Sequence, residues 1–314
     1  MKLSAVALAT VFFAMPLAAA PFAYISNQLG DSVSIVDISQ NKVAATVAVA
    51  GKPAGVAVAP DGKRCYISTP EAHGFAVLDT QSQKIIATVK VSDGALGIAV
   101  SPDSKRIYVA DWYNHSVAVL EAENYAVVTT IAVGQSPSGL MVSPDNRWLY
   151  VANRLDNSVS KILLSTHEVV KTTTVGTHPF GLIVDSTGQR LYVANVQSDD
   201  VSVLETASLR VIATIKVNML PYAAALAIND SRLLVTNQDD GSVSVIDTDA
   251  LKEIGLIRVG DKPEGISTHP DDRHVYVANW FDNSVSVIDA KTFKVVDTIK
   301  TGEGSRAFGQ FISK

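Results

Sequence analysis

Apolar and polar residues alternate along this chain in short runs, and the runs come in groups of four. Around Tyr108, Gly97 to Ser101 is a short apolar stretch, Pro102-Asp103-Ser104-Lys105 is turn chemistry, and Arg106 to Ala110 is β-branched and aromatic. A polar loop from Asp111 to His115 leads to Ser116-Val117-Ala118-Val119-Leu120, a turn at Glu121 to Asn124, and a last run from Ala126 to Val133. These are four strands, a to d. The unit repeats: Tyr24, Tyr66, Tyr108, Tyr150, Tyr192 and Tyr276 follow a spacing of 42 residues, with Leu234 in the remaining slot. On strand c, Val33, Phe75, Val117, Val159, Val201, Val243 and Val285 hold the same register, which a slip of one residue would scatter over both faces. Seven uninterrupted copies of a four-stranded unit predict an all-β chain, a seven-bladed β-propeller with four-stranded blades.

The ends of the chain are out of phase with the blades. The first copy starts at a strand b, Phe22 to Asn27, and the last stops after Ala307 to Ser313, which aligns with a strand a. The C-terminal strand is therefore expected to close the first blade, pairing two edges that would otherwise be exposed. Residues 1–20 differ in kind: Lys2, an apolar stretch from Ala5 to Leu17, then Ala18-Ala19-Ala20. That reads as a secretory signal peptide, too short for a membrane anchor, which leaves residues 21–314 as the propeller and no membrane span in the mature chain.

Charge and cysteine narrow the partners and the compartment. The net charge is −5, and loss of Lys2 with the leader makes it −6; without a basic run this argues against nucleic acid as a partner. The single cysteine, Cys65, shares its column with Ile107, Leu149, Leu191, Leu233 and Val275 and reads as a small core residue. Export without disulfides points to a periplasm, with secretion to the medium as the alternative.

Tyr-Val-Ala-Asn at 150–153, 192–195 and 276–279, with Ser-Val-Ser-Val-Ile-Asp at 242–247 and 284–289, resembles the YVTN-family β-propeller repeat. Pro-Glu-Gly at 263–265 and Ser-Pro-Asp at 101–103 belong to the same pattern. The whole is similar to YncE-like exported seven-bladed propellers. That resemblance implies a fold and an exported setting. It implies no shared catalytic motif, and among related propellers are lactonases and parts of quinone- and haem-dependent redox enzymes.

A site must then be sought where the repeat is broken. The a-to-b turns are monotonous, whereas the loops entering strand a and joining b to c share one face and vary. Just before strand a stand Ala54, Leu96, Ser138, Phe180, Tyr222, Glu264 and Arg306. Opening the b-to-c loop stand Gln28, Pro70, Trp112, Arg154, Val196, Gln238 and Trp280. Aromatics and arginines on one rim suit a binding surface, so the candidate residues are Trp112, Tyr113, Arg154, Phe180, Tyr222, Trp280, Phe281 and Arg306. The competing reading is that the aromatics pack over the barrel end, and that Arg154 and Arg306 pair with Asp111, Asp156 or Glu264. The preferred function is non-catalytic binding of a protein partner or a small anionic ligand, guanidinium being suited to carboxylate or phosphate. A lactonase-like hydrolase using Asp111, His178 and Arg306, and an accessory role in a periplasmic redox system, are the alternatives. No cofactor is expected. Nor is a metal, although His73, His115 and His178 all fall on the varied face. Lys161 stands in an otherwise aliphatic column and is expected to snorkel to an edge, the alternative being a lowered pKa suited to chemistry.

Overall fold

The computed structural model describes residues 21–313, so the signal segment lies outside the described residues. Strands Phe22–Asn27 (β1), Ser32–Asp37 (β2) and Lys42–Ala48 (β3) form one sheet, and six four-stranded antiparallel sheets of consecutive strands complete the seven blades. The one helical turn among the described residues is Pro70–Ala72, in a b-to-c loop. Both diagnostic columns are buried: the six tyrosines and Leu234 on strand b, and the valines and Phe75 on strand c, all lie within the core between blades. In every blade the register of c against d shifts once, at Ile35/Val36 in the first and at Lys161/Ile162 in the fourth. A bulge at the same place in each repeat sharpens the twist of the outer strands.

Near the axis a glycine column governs how closely the blades approach. A Cβ on Gly97 would lie 1.9 Å from the Ser138 carbonyl oxygen, and one on Gly265 would lie 2.1 Å from that of Ala307. Gly139 and Gly181 meet the next inner strand in the same way. Side chains at this position would push the inner strands apart.

The C-terminal segment closes the first blade, but not as a continuous strand. It bridges β1 at Ala23–Ile312 and Asn27–Ser305, with backbone N–H groups of Tyr24 and Arg306 donating to Phe311 and Ser26 carbonyls, each at 2.9 Å. Between those bridges it turns to the second blade, where Val56 and Val58 on Val56–Val58 (β4) donate to the carbonyls of Phe308 and Gln310. Ala307 at φ 46° and Gly309 at φ 108° explain the break, since neither is extended. One segment thus ties two blades. Phe308, Phe311 and Ile312 are buried by it.

Turn chemistry on the short-loop face follows from the acids that end strand c. Asp37 accepts from the Ser39 N–H at 2.9 Å, and Asp247 from those of Asp249 and Ala250. Several of the same acids pair with an arginine at the start of strand b: Glu121 with Arg106, Asp247 with Arg232, and Asp289 with Arg273. Cys65 is a free thiol buried in the core, and burial pushes its pKa well up.

Candidate functional site

Two columns of left-handed residues build the varied face. In the b-to-c loops these are Asp31, His73, His115, Asn157, Asp199, Gly241 and Asn283, with φ between 44° and 61°. In the loops entering strand a they include Lys52, Ser136, His178, Leu220, Lys262 and Gly304. Asn, Asp, His and Gly are the residues that tolerate this conformation best, so the backbone accounts for His73 and His115 sharing a column. The columns also clip together. Asp31 accepts from the Lys52 N–H at 2.9 Å, Asn157 from His178 at 2.8 Å, Asp199 from Leu220 at 2.9 Å and Asn283 from Gly304 at 2.7 Å. His115 makes the same clip through Nδ1, which accepts from the Ser136 N–H at 3.1 Å. That nitrogen is therefore the unprotonated one. Among the described residues no group of three His, Cys, Asp or Glu side chains is arranged to hold a metal.

Side chains fill the mouth of the channel. Phe180 and Tyr222 stack with ring centroids 4.0 Å apart, and Phe308 meets Phe180 edge-on at 5.4 Å. All three are buried, so Phe180 and Tyr222 form a plug rather than a free surface. Next to them Arg306 and Glu264 form a two-point ion pair, Nε and Nη2 donating along one guanidinium edge, and Gln238 donates to the same carboxylate. Arg306 also donates to the Tyr222 hydroxyl at 2.9 Å and to Gln28 Oε1 at 3.1 Å, and lies over the Trp280 ring at 5.1 Å. Burial works against the Arg306 charge, but Tyr222 and Glu264 outweigh it and hold the guanidinium firmly protonated. Burial pushes Glu264 above the usual carboxylate range, with Arg306 pulling back. Arg306 thus has its anion already. The candidate anion clamp reduces to Arg154.

Arg154 is half-buried and held between aromatic faces, its guanidinium carbon 5.7 Å from the centroids of both Trp112 and Phe180. No carboxylate pairs with it among the described residues; Asp156 accepts from the Gln135 N–H, and Asp111 accepts from Tyr113 and Asn114. Burial lowers the Arg154 pKa. Around this plug the rim is open and apolar: Tyr113 is 68% exposed, and Phe281, Leu29, Leu155 and Met219 are each half exposed or more. Phe281 packs on Trp280 at 4.7 Å, and the Trp280 indole N–H is buried with no acceptor. Trp112, Tyr113, Arg154, Trp280 and Phe281 therefore remain on the rim, whereas Phe180, Tyr222 and Arg306 belong to the plug.

Two clefts lie elsewhere. One of about 360 Å³ sits on the short-turn face between the second and third blades, lined by Lys63, Arg64, Lys105 and Glu123 among others. A second, near Ile131 and Val169, lies between outer strands. Neither reaches the mouth. Lys161 does not snorkel: it is buried, its Nζ donates to the Thr206 carbonyl at 2.6 Å, and it sits 4.0 Å from the Trp148 ring centroid. The acceptor comes from the next blade, which no column in the sequence reveals. No described helix is long and apolar enough to cross a membrane.

Comparison with known proteins agrees on the architecture. Residues 98–211 match the family described as Lactonase, 7-bladed beta-propeller. Kuenenia stuttgartiensis hydrazine synthase is similar at 25% identity and a TM-score of 0.78, over 85% of this chain and 91% of that one. A functionally unknown protein from Desulfotomaculum acetoxidans DSM 771 is similar at 14% identity and a TM-score of 0.80, over 92% of this chain and 99% of that one. Dihydro-heme d1 dehydrogenase NirN in complex with DHE is similar at 18% identity and a TM-score of 0.67, covering 92% of this chain and 65% of that one. No curated protein matches the sequence significantly. The chain is a seven-bladed propeller of four-stranded antiparallel blades, and its likeness to a lactonase family is confined to the middle of the chain.

Proposed function

We propose that the protein is an exported, non-catalytic propeller of the YncE-like kind, periplasmic, and that it docks a protein partner on the face bearing the b-to-c loops. The observation that carries this reading is the mouth itself. Phe180, Tyr222, Phe308 and the Glu264–Arg306 pair fill the place where a substrate would enter, while Tyr113, Phe281, Leu29, Leu155 and Met219 stand out around it. A filled centre with an exposed apolar and aromatic rim suits protein contact better than enclosure of a small molecule. The test is capture from a periplasmic extract by the mature protein and by the Tyr113→Ala/Phe281→Ala variant. Loss of a captured protein at unchanged melting temperature supports the reading; equal capture by the variant overturns it.

A lactonase-like hydrolase is the second reading, favoured by the family match over residues 98–211. Its candidate residues are poorly placed for activating water: Asp111 caps its own loop and Arg306 is neutralised by Glu264. Turnover of a lactone panel, abolished in Asp111→Ala, would reinstate it. Similarity to hydrazine synthase along most of both chains makes a redox enzyme a reasonable setting for the partner, and co-purification with a cofactor-bearing protein is the check.

A further inference from the structure

The mouth holds one cation that nothing answers. Lys52 pairs with Asp31, Lys262 with Asp239, and Arg306 with Glu264, so the neighbouring cations of this face are neutralised locally. Arg154 has no such partner and makes no side-chain hydrogen bond among the described residues, yet it is not free to wander. The rings of Trp112 and Phe180 flank it, and Phe180 is itself fixed by stacking on Tyr222. A guanidinium held by aromatic faces keeps its planar fork of donors in one orientation and has already lost part of its water. Both effects lower the cost of taking an anion.

We propose that Arg154 receives one carboxylate of a small monoanion, either free or at the end of a peptide, which rests on the reading of this face as a binding surface. The choice of a single charge follows from the surroundings. Glu71, Asp156, Asp199, Asp261, Asp282 and Glu303 stand on the same face and form no ion pair with a lysine or arginine among the described residues. Their field opposes phosphate and polycarboxylates, which bring more negative charge than one guanidinium balances. A carboxylate also matches the two parallel donors of the fork. A planar acid gains in addition from the Trp112 ring.

The experiment is calorimetric titration of the mature protein at fixed ionic strength with sodium benzoate, sodium acetate and sodium phosphate. Tetra-alanine with a free C-terminus, and the same peptide amidated, complete the probes. Benzoate is expected to bind more tightly than acetate and phosphate not at all. Arg154→Gln should weaken the monocarboxylates by about tenfold or more, with melting unchanged, and Arg154→Lys should recover only part of the loss. Benzoate binding identifies a free acid as a sufficient ligand. Binding of the free peptide alone, lost on amidation, identifies a chain terminus. The Tyr113→Ala/Phe281→Ala variant should keep monocarboxylate binding, so failure of protein docking and failure of this site are read separately. No binding of any carboxylate probe to the wild type, or equal binding to Arg154→Gln, would overturn the proposal.

Discussion

Replacing Glu264 by glutamine tests how the channel mouth is held. Glu264 has no exposed surface, accepts from both Nε and Nη2 of Arg306 and is also bonded by Gln238. Glutamine keeps the volume and one acceptor oxygen but removes the negative charge, leaving Arg306 charged in the core with only neutral acceptors, Gln28 Oε1 and the Tyr222 hydroxyl among them. Removing one member of a buried pair costs about 3–5 kcal/mol, mainly through the charge left behind. At about 2 °C per kcal/mol for a chain of this size, Glu264→Gln should melt about 6–10 °C lower. The Glu264→Met/Arg306→Met double variant removes both charges and should recover most of that loss, because apolar replacement of a whole buried pair is often neutral or better. The pH dependence separates charge from packing. In Arg306→Met the Glu264 carboxyl loses its strongest charge-stabilising partner and keeps only Gln238 and Lys262 against burial, so its folded pKa lies further above the unfolded value. A raised carboxyl contributes most below the unfolded pKa and loses that contribution as pH rises, so the deficit should be small near about pH 4 and grow toward about pH 8. Urea unfolding of the four proteins, followed by circular dichroism at several pH values, reads all of this. Additive losses in the double variant, with no pH slope in Arg306→Met, would refute the reasoning.

Deleting residues 307–314 should destabilise the whole ring, since burial of Phe308, Phe311 and Ile312 contributes roughly 1.5–3 kcal/mol each and the segment ties two blades; a truncated protein melting like the full one would contradict this. Lys161→Met keeps apolar bulk but orphans the Thr206 carbonyl, so the urea midpoint should fall by an amount equivalent to about 1–3 kcal/mol, and an unchanged midpoint would mean that the bond contributes nothing net. Asp289 is held below the usual carboxylate range, first by its hydrogen bond from Arg273, and Asp37 and Asp79 by those from Ser39 and Ser82. Such groups contribute stability above their unfolded pKa and lose it as pH falls through the folded one, so melting temperature should drop below about pH 4, and less steeply in Asp289→Asn.

The repeat made the fold legible because each blade buries the same positions. Tyr66 and Val117 are buried for the same reason as their counterparts one period away, and neither depends on knowing the ring. The site was legible only in part. Glu264 and Arg306 stand in one column, so their pairing was open to inspection as neighbours across adjacent inner strands. Phe180 and Tyr222 stand in the same column one blade apart, so their contact was equally open, but the sequence offered both a packed end and a free rim and did not choose between them. The histidines carried a readable signal that chemistry obscured. Asp31, Asn157, Asp199, Gly241 and Asn283 share the column of His73 and His115, and that set of residue types marks a left-handed backbone more strongly than a metal.

The two faces differ in charge for a reason built into the repeat. On the short-turn face an acid ends strand c and a basic residue opens strand b, so Arg106–Glu121, Arg232–Asp247 and Arg273–Asp289 close as cross-strand pairs within one blade. In these three blades the charge of the acid is met within the blade. On the other face the clip acids accept backbone N–H groups, a role in which Asp199 and Asn157 are interchangeable, so nothing in the fold demands a compensating base. Residues there are free to diverge without loss of the blade. Arg154 departs from that background in the opposite sense: its side chain neither clips a loop nor pairs with an acid among the described residues, and the same column one blade on holds the buried Val196. A cation held by ring faces with its donors left open, on the face least constrained by the repeat, is what recognition of an outside anion requires.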